Sequence, residues 1–237
     1  MKTIGLLGGM SWESTVTYYQ IINETIKQQL GGLHSAKILL YSVDFHEIET
    51  CQASGDWKRS AQFLNTGIQA LEKGGADFIV ICTNTMHKVV PILQQKTQLP
   101  ILHIAETTAV ALKKKKIYKS ALLATKYTME QDFYKDKLLA GGIEVLIPDE
   151  EDREIINHII YDELCQGNIL PTSQKEYLRI IDGLSALGAQ GVILGCTEIG
   201  LLIKQKDTPL PVFDTTIIHA KAAVEAALSD EKEAQLI

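Results

Sequence analysis

The sequence predicts an α/β protein of two similar lobes, each a mainly parallel sheet flanked by helices, related by a pseudo-twofold axis. Two observations carry this expectation. Apolar runs of strand length alternate with longer helical patterns from end to end, as βα units around parallel sheets require. The second half also repeats the first. Gly75-Ala76 leads through Phe78-Ile79-Val80-Ile81 to Cys82-Thr83, and Gly188-Ala189 leads through Val192-Ile193-Leu194 to Cys196-Thr197 with one residue inserted. Upstream, Leu6-Leu7-Gly8 is matched by Leu122-Leu123-Ala124; downstream, Leu99-Pro100-Ile101 is matched by Leu210-Pro211-Val212. The offsets are 116 at the leucines, 114 at the cysteines and 111 at the prolines, a drift that short loop insertions produce. A repeat of this length is too long for a solenoid and fits a duplicated α/β lobe.

Taken in order, the first strand is expected at residues 3–7, running into Gly8-Gly9, a pair suited to a tight turn or to close approach of backbone to a ligand. A helical pattern follows over 14–30, a second strand at 37–43, a helix over 60–73, and strands at 78–81 and 101–104. The second lobe continues with strands at 120–124, 144–147, 192–194 and 212–213, and a helix over 174–187 that Gly188 stops. The lobes then divide as 1–103 and 104–214. The basic run Lys113-Lys114-Lys115-Lys116 reads as the solvated end of a helix ahead of the next strand.

At 237 residues and 46% hydrophobic, the chain suits one large domain or two modest ones with full cores. A net charge of -6 argues against nucleic acid or an anionic membrane as partner. No stretch approaches the roughly 18 to 20 apolar residues of a membrane span. The opening Met1-Lys2-Thr3-Ile4-Gly5 reads as a strand rather than a signal peptide. The expected location is therefore the cytoplasm, with the four cysteines reduced. No pair of them has C-x-x-C spacing, so no metal site is expected.

The matched cysteines carry the chemistry. In open parallel sheets, ligands bind outside the carboxyl ends of the strands, and Cys82 and Cys196 each directly follow a buried strand. Lobes related by a pseudo-twofold axis would set one thiol on each side of a ligand held between them. That arrangement inverts a stereocentre: one base removes the α-proton from one face, and an acid on the other face returns one. A thiol suits the task because its unperturbed pKa of about 8.5 leaves both forms accessible near neutrality. Thr83, Asn84 and Thr85 after the first cysteine, and Thr197 after the second, supply donors for an α-carboxylate. Thr125 and Thr128, after the first strand of the second lobe, serve likewise. Glu198 is expected either to accept from a substrate ammonium or to set the protonation state of a thiol.

Other residues read as structural. Cys51 and Cys165 are taken as small buried hydrophobes. Gly8-Gly9 lacks the G-x-G-x-x-G spacing of a dinucleotide site, and no P-loop occurs. His87, on the helix after Cys82, is taken as structural, and His103 and Asp214, at matched positions, as hydrogen-bonding residues. Met10 and Trp12 either pack against the ligand or fill the core beneath the turn.

These residues resemble the aspartate/glutamate racemase family. The opening Ile4-Gly5-Leu6-Leu7-Gly8-Gly9-Met10-Ser11-Trp12-Glu13-Ser14-Thr15 looks like its amino-terminal signature. Cys82-Thr83-Asn84-Thr85-Met86-His87 and Gly195-Cys196-Thr197-Glu198 look like its two cysteine motifs, and the segment from Thr125 to Phe133 resembles its mid-chain motif. The resemblance implies a two-lobed α/β fold with the active site between the lobes, and a carboxyl-terminal helix, within 215–237, packed back on the first lobe. It implies racemisation with no pyridoxal phosphate or other cofactor, usually in a homodimer. Cys82 and Cys196 are then the acid/base pair, Thr83, Asn84, Thr85 and Thr197 contact substrate, and Met10 and Gln52 join them. One departure bears on substrate. Aspartate-specific members place a lysine shortly before a Gly-Asn pair, and here Cys165 stands in that place before Gly167-Asn168. Glutamate or a broader amino-acid range becomes the expectation. The alternatives are a hydantoin racemase or another isomerase of the superfamily, and a non-catalytic module that closes on an amino acid.

Overall fold

Each half of the chain builds a four-stranded, all-parallel sheet, and both sheets have the same strand order. The computed structural model describes residues 1–234. In the first half, β1 (Ile4–Gly8), β2 (Ile38–Ser42), β3 (Phe78–Ile81) and β4 (Ile101–Leu102) lie in the order β2-β1-β3-β4. In the second, β5 (Lys119–Leu123), β6 (Glu144–Leu146), β7 (Val192–Leu194) and β8 (Val212–Asp214) lie in the order β6-β5-β7-β8. The matched register follows the matched sequence: Leu6 and Leu7 pair with Val80 and Ile81, as Leu122 and Leu123 pair with Ile193 and Leu194. The central strands β1, β3 and β7 are buried along their whole length, because helices cover both faces of a parallel sheet.

The connections are helical. In the first half they are α1 (Trp12–Leu30), α2 (Phe45–Ser54), α3 (Trp57–Lys73) and, after a 3-10 turn at Thr85–Val89, α4 (Val90–Leu93). Then follow α5 (Ile104–Lys114), α6 (Lys126–Glu130), α7 (Asp132–Ala140), α8 (Glu150–His158), α9 (Pro171–Ala186), α10 (Ile199–Leu202) and α11 (Thr215–Ala234). By its contacts the chain forms two units, Met1–His103 with the residues from His219 onward, and Ile104–Ile218. The division falls inside α11 because its first turn is tied to the second sheet: Thr215 Oγ1 donates to the Leu194 carbonyl at 2.9 Å. From His219 onward, Ala220, Ala223, Val224, Ala227 and Leu228 pack with Ile4, Tyr18, Ile22 and Cys82 of the first unit. Residues 235–237 of the expected terminal helix lie outside the described residues.

Several ends differ from the sequence expectation, each for a local reason. Helices α1, α3 and α9 begin earlier than the apolar pattern suggests. Ser11 caps α1 by accepting from Ser14 N, Asp56 caps α3 by accepting from Arg59 N, and Pro171 occupies the first turn of α9. Strand β4 stops at Leu102, since only Ile101 and Leu102 pair with β3 before the chain turns into α5. His87 sits on a 3-10 turn rather than an α-helix.

Candidate active site

In a sheet of order β2-β1-β3-β4 the chain leaves β1 toward one edge and then crosses to the other, so the crevice forms at the carboxyl ends of β1 and β3. Those ends are Gly8-Gly9-Met10 and Cys82-Thr83-Asn84-Thr85. In the second unit the equivalent ends of β5 and β7 are Ala124-Thr125 and Gly195-Cys196-Thr197-Glu198. The same topology thus sets one cysteine at the same place in each unit.

In the first unit Cys82 is fully buried, and its amide donates to the Leu7 carbonyl at 3.0 Å, binding the end of β3 to β1. Its thiol points at the Val80 carbonyl, 3.8 Å away. Burial pushes this thiol well above its ordinary pKa, so it is protonated here. The His87 ring holds the following loop, with Nδ1 2.8 Å from the Thr83 carbonyl. A carbonyl only accepts, so Nδ1 carries the proton. Thr85 and Asn84 are buried beside it, and Thr83 is half-buried. Gly9 makes the turn after β1 with φ of 91°. A Cβ there would lie 2.6 Å from the Val43 backbone nitrogen and closer still to its carbonyl, so only glycine fits. Met10 is buried in the core with Ile48 and Met86, while Trp12 stands exposed, which removes it from the core beneath the turn. Gln52, buried on α2, donates to the Met86 sulfur at 3.0 Å and thereby joins Met10 beneath the cysteine loop.

In the second unit Cys196 is half-buried at the head of the loop before α10. Its Sγ donates to Glu198 Oε2 at 3.0 Å, and the Thr197 hydroxyl donates to the same oxygen at 2.6 Å. Desolvation, the adjoining Glu198 carboxylate and Cys165 all push this thiol up. The Thr125 and Thr128 hydroxyls, both buried, lie 3.3 Å apart at the end of β5. Cys165, on the 3-10 turn Leu164–Gln166, is partly buried and packs against the core of its unit, and it is one of the groups that raise the Cys196 thiol. Tyr177 of α9 is buried, its phenol raised by that burial and then by Cys196, Glu163 and Cys165.

Sequence reasoning passed over a buried network behind Cys82. His219 Nε2 lies 2.9 Å from the Leu102 carbonyl and its Nδ1 2.9 Å from the Tyr18 hydroxyl, so the ring is the Nε2–H tautomer and Tyr18 donates to it. Burial and the neighbouring His87 lower His219 to about 3. The His87 ring lies tilted to His103 and edge-on to His219, at centroid distances of 4.7 and 5.6 Å. The repeat held the clue: at the 111-residue offset His219 matches Thr108, and at the 116-residue offset Tyr18 matches Tyr134, whose buried phenol interacts with that threonine. Asp214, at the position matching His103, caps α11 by accepting from Thr216 N at 2.9 Å. Among the described residues no group of three or more His, Cys, Asp or Glu is placed to hold a metal, and no helix is long and apolar enough to cross a membrane.

Comparison with known proteins agrees with this layout. The sequence profile of the Asp/Glu/hydantoin racemase family matches residues 7–223. The broad specificity amino-acid racemase RacX of Bacillus subtilis (strain 168) is 25% identical over 229 residues, 95% of this chain and 98% of that one. A crystal structure from Yersinia pestis, described as a candidate Asp/Glu racemase, superposes with a TM-score of 0.91 at 57% identity, covering 96% of this chain and all of that one. A structure of an aspartate racemase homologue from Pyrococcus horikoshii OT3 superposes with a TM-score of 0.84 at 36% identity, covering 96% and 99%. Family profile, curated relative and solved structures converge: the chain belongs to the Asp/Glu/hydantoin racemase family, and is an isomerase by that membership.

Proposed function

We propose that the protein racemises amino acids, aspartate and glutamate among them and a broader range besides, by two-base proton transfer between Cys82 and Cys196 without a cofactor. The observation that carries the reading is the placement of one cysteine at the carboxyl end of the third strand in each of two identically ordered sheets. One thiolate takes the α-proton, the planar intermediate forms, and the opposite thiol returns a proton to the other face. The first sulfur then holds the proton and the second the charge, ready for the reverse reaction. Thr83, Asn84 and Thr85 on one side, and Thr125, Thr128 and Thr197 on the other, hold the α-carboxylate and the charge that develops on it. Met10 and Gln52 form the floor of that site. Desolvation makes each thiolate costly in the free protein, and a substrate ammonium lying beside it offsets that cost, so that the thiolate becomes accessible as the base. With each sulfur at a near-attack distance of roughly 3 to 3.5 Å from one α-carbon, the pair lies roughly 6 to 8 Å apart in the complex. That is well outside the S–S bond of about 2 Å. Cys165 in place of a lysine before Gly167-Asn168 supports the broader substrate range, and RacX carries that breadth in its name. A cytoplasmic location and a homodimer complete the proposal.

The test is a panel of L- and D-amino acids in deuterated water, with α-proton exchange and optical rotation followed together. Aspartate, glutamate and further amino acids should exchange and invert without pyridoxal phosphate and in the presence of a chelator. Exchange on hydantoins alone, or a requirement for an added cofactor, would overturn the reading.

A further inference from the structure

The two matched loops share their Cys-Thr pair and part at the next residue, where the difference is chemical. Two residues beyond Cys82 stands the neutral Asn84; two residues beyond Cys196 stands Glu198. Glu198 Oε2 accepts from Cys196 Sγ at 3.0 Å and from Thr197 Oγ1 at 2.6 Å, so the oxygen facing the sulfur is committed to this loop. In the first loop the Cys82 thiol is directed instead at a neutral acceptor, the Val80 carbonyl, 3.8 Å away.

We infer that Glu198 is a positioning residue that holds Cys196 as the thiol, so that, of the two forms with a single thiolate, the one with Cys82 as base and Cys196 as acid is favoured over the reverse. The carboxylate acts twice. It accepts the S–H hydrogen bond, which exists only in the protonated form, and its charge opposes a thiolate at 3.0 Å. Thr197 fixes the carboxylate oxygen at the sulfur. The other titratable groups facing Cys196 are Cys165, from the turn before α9, and Tyr177 of α9, with Glu163 beside Tyr177; of these Cys165 also opposes the thiolate. The inference rests on the racemase reading for its kinetic consequence but not for its structural one. The step balances within the protein. Cys82 thiolate takes the α-proton as its S–H forms, the Cys196 S–H breaks as the new C–H forms, and the charge passes from one sulfur to the other.

The consequence follows from symmetry. Enantiomers have equal free energy, so kcat/KM is the same in both directions, and a bias between the sulfurs shows only in kcat and KM separately. The enantiomer whose α-proton faces Cys82 meets the favoured form of the protein and leaves it in the disfavoured one. It should therefore have both the lower KM and the lower kcat.

Two measurements test this. The 13Cβ shifts of labelled cysteine are followed against pH in the substrate-free protein, with the four signals assigned by single Cys→Ala variants. In Glu198→Gln, which keeps an oxygen acceptor and removes the charge, the Cys196 midpoint should fall by one pH unit or more while Cys82 does not move. Glu198→Asp, which keeps the charge on a shorter arm, should lie between. An unchanged Cys196 midpoint, or a Cys82 shift as large as that of Cys196, overturns the inference. This readout needs no substrate, so it fails separately from the racemase proposal. With a substrate that turns over, the kcat values of the two enantiomers should draw together in Glu198→Gln, with kcat/KM still equal in both directions. A kcat ratio unaltered from the parent counts against the bias.

Discussion

Cys82 and Cys196 are the same residue in two unlike surroundings: one sealed in the core of its unit, the other half-buried and bonded to a carboxylate. Both hold protons at rest, yet the two-base reading assigns them equal parts in turnover, and single replacements separate them. Cys82→Ala and Cys196→Ala each remove one acid/base group and little volume, so the fold should persist while racemisation falls by about 10²–10⁴-fold or more. With one thiol left, only the enantiomer whose α-proton faces it can exchange with solvent. Each variant should retain slow deuterium washout of the opposite hand, and serine should not restore inversion because its hydroxyl is too weak an acid. Near-parental racemisation by either variant would remove its cysteine from the mechanism. The cysteines were legible because a repeat marks equivalent positions, and the Glu198 contact because it spans only two residues. The Gln52–Met86 bond and the approach of Tyr177 and Cys165 to Cys196 were not. They join segments distant in sequence, and no local pattern encodes which side chains such a crossing brings together.

At the scale of the element, the strands were read well and the helix starts less so. Buried parallel strands announce themselves as unbroken apolar runs, whereas the start of a helix depends on one capping side chain at the edge of the periodic pattern. Asp56 illustrates the point: its carboxylate accepts from Arg59 N at 3.0 Å and draws the start of α3 back to Trp57, ahead of the first buried residue, Ser60. Asp56→Ala should cost about 1 kcal/mol, read as a lower urea midpoint with an unchanged slope. The turn after β1 is less forgiving. Gly9→Ala must carry a side chain at φ of 91° into the Val43 backbone, so its cost should exceed the roughly 1–2 kcal/mol that a left-handed conformation alone imposes. A stability loss no larger than that of Asp56→Ala would mean the turn opens to make room.

The whole chain is a duplication in which small devices recur along with the sheets. Gln94 and Gln205, at the same offset as the prolines, each brace the loop before the last strand, donating to the carbonyls of Leu99 and Leu210 and accepting from Ile101 N and Val212 N. The helix after each last strand is counted with the other half: α5 with the second unit, and α11 from His219 onward with the first. The duplicated halves diverge where α11 meets α1, since the Tyr134–Thr108 contact of one unit becomes the Tyr18–His219 hydrogen bond of the other. That change gives the first unit a pH dependence. His219 titrates near 3 in the folded protein against about 6.5 when unfolded, so the folded state resists protonating it. A depressed pKa contributes stability that is complete above about 6.5 and is lost as pH falls toward 3, at about 1.4 kcal/mol per pH unit through the window. Carboxylates add their own slope at the acid end, so the informative quantity is the difference between parent and His219→Gln. The glutamine retains a donor for Leu102 O and an acceptor for Tyr18 without a titrating ring. Both tryptophans, Trp12 and Trp57, belong to the first unit, so their fluorescence in urea reports that unit by itself. The stability gap between the two proteins should close progressively from pH 6.5 to 4, and parallel curves over that range would show that His219 is not held neutral by the fold.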